Sequence, residues 1–147
     1  MNLKHITLAA AAASLALAGS ALAQKKYDPG ASDKEIVIGA IHPYSGPASA
    51  YGAIGKAIGS YIEKVNADGG INGRKIKFIP LDDGYNPAKT VEQARRLVEQ
   101  DEALIVFNPL GTPPNTAIHK YMNDKKVPQL FVATGATKWG DPKNFPW

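Results

Sequence analysis

Residues 69–87, GGINGRKIKFIPLDDGYNP, contain a helix stop, a turn, a strand, an acidic turn and a helix start, in that order. The Gly69-Gly70 pair suits the left-handed conformation in which many helices end. Asn72-Gly73 is turn chemistry. Ile76, Phe78 and the apolar segment 79–81 predict a strand. Asn86-Pro87 then offers an N-cap followed by proline at the first helical position. Such a run is the middle of a β-α-β-α unit. It predicts a mostly parallel sheet whose loops can hold a small ligand.

The same pattern extends in both directions. Residues 36–41 are continuously apolar, as in a strand buried on both faces. Pro43, Gly46 and Pro47 fix a loop after it. A helix is expected from Ser49 or Ala50 to Ala67, with Ile54, Ile58, Tyr61, Ile62 and Val65 forming one apolar face. Gly52, Gly55 and Gly59 each lower its propensity by about 1 kcal/mol relative to Ala, which predicts close approach of the helix to the sheet. The second strand, 75–81, alternates and carries Pro80, and both features suit a sheet edge. A second helix over 87–100 turns Val91, Ala94, Leu97 and Val98 inward. Residues 103–107 read as a central strand. A third helix runs from near Pro113 to about Lys125, and residues 127–133 read as a fourth strand. With right-handed crossovers, the expected fold is α/β and doubly wound, with strand order 2-1-3-4.

Residues 1–23 are set apart from that domain. Lys4 and His5 precede a small, apolar run over 6–19, and Ala21-Leu22-Ala23 fits a small-x-small cleavage site. A signal peptide cleaved after Ala23 and export to the periplasm are expected. Residues 24–34, with Pro29-Gly30, read as a flexible leader. Residues 35–147 are long enough for one cored domain. The net charge of +4 comes from scattered lysines with no arginine-aromatic stripe, which argues against a nucleic-acid surface. The chain has no cysteine, so disulfides, thiol chemistry and zinc-thiolate sites are excluded.

In a doubly wound sheet, ligands bind beyond the carboxyl ends of the strands at the switch point, here between strands one and three. Loops 42–49, 82–86, 108–112 and 133–137 should meet there. Their hydroxyls and glycines, with the positive end of the third helix, suit a small polar ligand such as a carboxylate. Each candidate also has a purely structural reading. Thr112 can simply N-cap the third helix, and Thr134 and Thr137 can stabilise a turn. The Asp82-Asp83 pair could hold a metal or do acid-base work, but is more simply a strand end that caps the following turn. Tyr51 can be a packing residue, although it lies nearer the loops than Tyr61. His42 has no partner nearby in sequence to complete a triad or metal set. No dinucleotide, P-loop, nucleophile-elbow or zinc-protease motif is present. A phosphoacceptor domain would want acids where His42-Pro43 and Asn108 stand, and an exported hydrolase would have to draw on Ser45, His42 or the Asp82-Asp83 pair. The chain is read as a non-enzyme with no cofactor and no metal.

Five segments, in order, carry a resemblance: Ser45-Gly46-Pro47 with Tyr51-Gly52, then 69–74 (GGINGR), Asp82-Asp83 followed by Pro87, the loop 110–112, and the loop 134–137. On these the chain resembles the substrate-binding proteins of branched-chain amino-acid-type ABC importers, the Leu/Ile/Val-binding protein family of type I periplasmic binding proteins. The resemblance spans residues 35–147. It implies two α/β lobes closing on a ligand, of which this chain would be part of the first, an N-terminal fragment. The implied function is binding of a small amino acid or related carboxylate and its delivery to a membrane permease. The alternative is the ligand-sensing domain of a receptor or regulator with the same fold. By the resemblance, Tyr51 would line the side-chain pocket. Leu110, Gly111 and Thr112, with Gly135 and Thr137, would hold the ligand's head group through backbone and hydroxyls. Some members carry a disulfide between the positions of Tyr85 and Gly111, and neither is cysteine here.

Overall fold

A computed structural model describes residues 27–147. The expected signal peptide and its cleavage site lie outside the described residues. Strand β1 (Glu35–His42) pairs in parallel with β2 (Lys75–Asp82) along its whole length, Glu35 opposite Lys75 through to His42 opposite Asp82. On its other side β1 pairs with β3 (Ile105–Phe107), and β3 pairs with β4 (Gln129–Leu130). The order is 2-1-3-4, with β2 at one edge as its proline and alternation require.

Three helices connect the strands: α1 (Gly52–Ala67), entered through a 3₁₀ turn at Ser49–Tyr51, then α2 (Pro87–Glu99) and α3 (Thr112–Lys125). Helix α2 starts as its sequence dictates. Asn86 caps it, its side-chain oxygen accepting from the N–H groups of Ala88 at 2.9 Å and Lys89 at 3.2 Å, with Pro87 in the first turn. Helices α2 and α3 pack on each other and cover one face of the sheet. The core lies there, built from Val37, Ile41, Leu81, Ala94, Leu97, Val106, Ile118 and Met122.

Helix α1 differs from the expected apolar face. Of the five residues assigned to that face only Ile62 is buried, and Tyr61 is 68% exposed. The glycine side turns inward instead, because Gly52 and Gly55 are buried against His42 at the end of β1 and Pro43 and Tyr44 of the loop after it. Ile58 and Tyr61 therefore line an open apolar cleft with Ile38, Ile76 and Phe107.

Strands β3 and β4 are shorter than the segments expected for them, 103–107 and 127–133. Asn108 (φ 52°) and Phe131 (φ 56°) both adopt the left-handed conformation and interrupt the ladder side by side. Asn108 bridges the gap: its backbone N–H donates to Leu130 O at 2.7 Å and its Nδ2 to Phe131 O at 2.8 Å. Pairing resumes between Leu110 and Ala133. Residues 27–34, read as a leader, are bonded to the sheet. Val37 N–H donates to Gly30 O at 2.7 Å, Lys75 N–H donates to Lys34 O at 2.8 Å, and Arg74 sits over the Tyr27 ring.

Candidate ligand-binding site

The loops after the strands are set by local chemistry. Asp82, the last residue of β2, gathers the loops after β1 and β2. Its Oδ1 accepts from the N–H groups of Tyr44 (2.8 Å), Ser45 (3.1 Å) and Gly84 (3.0 Å). Its Oδ2 accepts from the Ser45 hydroxyl (2.5 Å) and the Lys89 ammonium (3.3 Å). Burial pushes the Asp82 carboxyl up, but the hydrogen bonds from Ser45, Gly84 and Lys89 outweigh it and hold it far below its ordinary value. Asp83 is fully buried and accepts from Thr90 Oγ1 (2.7 Å) and the Tyr85 N–H (2.9 Å). The acidic pair is structural, and among the described residues no acidic, histidine or cysteine cluster could hold a metal.

His42 is also fully buried. Asn108 uses its Nδ2 on Phe131, so its Oδ1 faces His42, and the 3.3 Å contact makes His42 Nε2 the donor. Burial lowers the His42 pKa, against the raising effects of Asn108 and Asp83, which favours the neutral ring. Since the Ser45 hydroxyl goes to Asp82 and His42 to Asn108, the two do not form a nucleophile-base pair.

The loop after β3 is pinned from below. Asn115, fully buried on α3, donates through Nδ2 to Pro109 O (3.1 Å) and Gly111 O (2.8 Å), and its Oδ1 accepts from Gln129 Nε2 (3.0 Å). Leu110 N–H donates to Ile41 O and Gly111 N–H to Ala133 O. Gly111 (φ 105°) is the N-cap of α3, so Thr112 is not the cap. Thr112 is the first helical residue, and its hydroxyl meets that of Thr134 at 2.5 Å. Thr134 also accepts the Ala136 N–H at 3.2 Å, closing a turn. Whichever hydroxyl donates to the other, one proton of the pair stays available to a third group. Pro113 and Pro114 follow Thr112, so the second and third helical positions have no N–H. The positive helix end expected to receive an anion keeps only the Thr112 N–H there.

These loops enclose a cleft of about 650 Å³ lined by Pro47, Ala48, Tyr51, Ile54, Tyr85, Leu110, Gly111, Thr112, Ala133, Thr134 and Gly135. It lies at the carboxyl ends of β1 and β3, the switch point of the sheet. Among the described residues no charged side chain lines it. Of the six residues expected to bind ligand, Tyr51, Leu110, Gly111, Thr112 and Gly135 come together here. Thr137 does not line this cleft and instead precedes a short 3₁₀ turn at Lys138–Gly140. Thr134, weighed between a turn role and a ligand contact, also lines the cleft, and so does Tyr85, which had not been singled out as a ligand residue. The one signal in the turn sequence Gly84-Tyr85-Asn86 is a bulky residue between two turn formers. A cleft of similar size, about 660 Å³, runs between α1 and the edge strand β2, on the flank of the sheet and away from the strand ends.

This doubly wound α/β lobe, with its cleft at the switch point, shares its fold with solved type I periplasmic binding proteins. The chain belongs to the periplasmic binding protein family, whose model matches residues 35–147. A Leu/Ile/Val-binding protein homologue of Brucella melitensis is 33% identical over 99 residues, covering 67% of this chain and 24% of that protein. A fatty acid ABC transporter substrate-binding protein from Thermomonospora curvata superposes with a TM-score of 0.62 at 30% identity, over 76% of this chain and 28% of that one. A branched-chain amino acid transporter substrate-binding protein from Streptococcus pneumoniae, solved with isoleucine, matches in fold with a TM-score of 0.70 at 23% identity, over 76% and 32% of the two chains. The chain thus spans about a quarter of the length of its curated relative. These relatives are solute-binding proteins, not enzymes.

Proposed function

We propose that the chain forms part of the first lobe, residues 35–147, of an extracytoplasmic solute receptor. That receptor binds a small amino acid or related carboxylate between two lobes and delivers it to the membrane permease of an ABC importer. On this reading residues 1–23 are a signal peptide and the protein works in the periplasm. The observation that carries the proposal is the Thr112–Thr134 hydroxyl pair beside the free Thr112 N–H, placed at the polar end of an otherwise uncharged cleft at the switch point. One N–H and one hydroxyl proton suit one carboxylate, and the apolar walls suit the remainder of a small organic acid. The related proteins named above differ in ligand, isoleucine in one and fatty acid in another. Both are carboxylates, which supports the head group rather than the side chain.

The test is calorimetric titration of the full-length protein with leucine, isoleucine, valine and a series of simple carboxylic acids. One of them should saturate at one per protein. Thr112→Ala should weaken it about tenfold or more, the value of a hydrogen bond to a charged group. Silence across the whole series, or an affinity indifferent to Thr112, refutes the reading.

A further inference from the structure

Tyr85 stands in a conformation that its side chain disfavours. Its φ is 62°, in the left-handed region that glycine and asparagine occupy readily and that bulky residues avoid. The Asp83 carboxylate holds it there by accepting the Tyr85 N–H at 2.9 Å. Asn86, the next residue, is committed to capping α2. A glycine or asparagine at 85 would make the same turn without the steric cost, so the turn does not explain the tyrosine. Such strain points to a role for the side chain when the surroundings enforce it.

The ring lies where that role would be. A Cβ added to Gly111 would meet Tyr85 Cε2 at 2.5 Å and Cζ at 3.0 Å, so the ring rests directly on the bare face of Gly111. Gly111 precedes Thr112, and Tyr85 lines the same cleft as Thr112 and Thr134, whose N–H and hydroxyls would receive a head group. The residue is 37% exposed, and among the described residues its hydroxyl makes no hydrogen bond. Tyr51, 57% exposed, lines the same cleft from the start of α1, with Ile54 and Leu110. Two tyrosine rings thus stand in the wall of one uncharged cleft, within reach of one small polar corner.

We propose that Tyr85 is a specificity-determining residue of this cleft, and that with Tyr51 it selects a carboxylate whose side group is an aromatic ring. This rests on the solute-receptor reading. Aliphatic side groups would gain only burial against these walls. An aromatic ring gains in addition the offset or edge-to-face contact with each tyrosine.

The experiment uses the full-length protein and two matched probe pairs, benzoate with cyclohexanecarboxylate and L-phenylalanine with L-cyclohexylalanine, together with L-leucine. Within a pair the head group is the same and the ring has the same six carbons, but the saturated ring is puckered, slightly larger and more hydrophobic and lacks the π-system, so burial alone would favour the saturated member. At least one aromatic member should bind about 3- to 10-fold tighter than its saturated partner. Tyr85→Phe should keep that ratio, and Tyr85→Asn should bring it towards one. Because asparagine relieves the strained turn, Tyr85→Asn should melt no lower than the wild type, which separates lost recognition from lost folding. A wild-type ratio of one or less, or a ratio unchanged in Tyr85→Asn, overturns the proposal. Binding of leucine alone overturns it while leaving the solute-receptor reading intact. No binding of any of the five overturns this proposal, and failure of the wider acid series as well removes the receptor reading with it.

Discussion

Two glycines on one helix should respond to the same substitution in opposite directions. Glycine to alanine inside a helix stabilises by about 1 kcal/mol through propensity. At Gly59 nothing opposes this gain, since the new Cβ would lie 3.6 Å from Phe78 Cε1, ordinary van der Waals contact. At Gly55 the new Cβ would lie 2.1 Å from Tyr44 Oη, 2.8 Å from Tyr44 Cζ and 2.9 Å from His42 Nδ1. His42 is fully buried and held by Asn108, so it cannot withdraw, and Tyr44 Oη is itself buried. Overpacking of this kind costs up to about 3 kcal/mol. The net expectation is a gain of about 1 kcal/mol for Gly59→Ala and a loss of about 2 kcal/mol for Gly55→Ala, measured by urea unfolding of the two variants side by side. A further Tyr44→Ala change should recover much of the Gly55→Ala deficit, because it removes the atom in conflict, and a double-mutant cycle would measure that coupling. Because α1 carries Tyr51 at its start, Gly55→Ala should also weaken ligand binding. Equal or greater stability of Gly55→Ala relative to Gly59→Ala would refute the account of why α1 turns its glycines inward.

Asp82→Asn should destabilise by about 1–2 kcal/mol at neutral pH, since it keeps an acceptor for the loop N–H groups but loses charge assistance and the Lys89 pair. The folded-state pKa of Asp82 is depressed, so this contribution is complete above the ordinary value of 3.8 and is lost as pH falls towards the lower folded value; unfolding curves of the two proteins should converge in strong acid. His42 has the same sign for a different reason. Buried and neutral, it binds its proton less readily folded than unfolded, so stability should fall as pH drops below the ordinary histidine value of 6.5. His119 is shifted the same way, by burial and by Lys138, so the His42 share is the part of that pH slope that His42→Gln removes. Pro113→Ala restores an N–H to the second position of α3 and should tighten carboxylate binding several-fold in calorimetry. An unchanged affinity would place the head group away from that helix end.

The sheet was legible in the sequence because its signals are local and redundant. The Asn86-Pro87 helix start, the apolar β1 and the proline-bearing β2 each specify one element, and the order follows from handedness. The misreadings arose where a residue's role depends on distant partners. Thr112 has the chemistry of an N-cap, but Gly111 takes that place. The two prolines fit one position further into the helix than expected, since the first three helical N–H groups lack intrahelical partners anyway. The segment 127–133 gives no warning of Phe131 at φ 56°, because that break is enforced by Asn108 from the neighbouring strand. Tyr85 could have been found only by noticing a bulky residue in a turn where Gly84 and Asn86 would suffice on either side. Asn115 carries no local signal at all, since its three bonds reach Pro109, Gly111 and Gln129 through the fold.

The prolines after Thr112 also limit what this lobe can do alone. On the proposed reading the head group meets one N–H and one free hydroxyl proton, worth about 1.5–3 kcal/mol each when the partner is charged. Association costs at least about 4 kcal/mol in lost translation and rotation, so these two bonds roughly cancel against it. The side group adds only the burial that one open wall provides, because a ligand lying on Tyr51 and Tyr85 still faces water on its other side. If the solute-receptor proposal holds, useful affinity would have to come from a second surface that closes over the ligand and dries the cleft. On that reading this lobe would contribute orientation, with the head group at Thr112 and the side group at the tyrosines. Selectivity among carboxylates can then be written in this half of the site even though most of the binding energy is gained on closure.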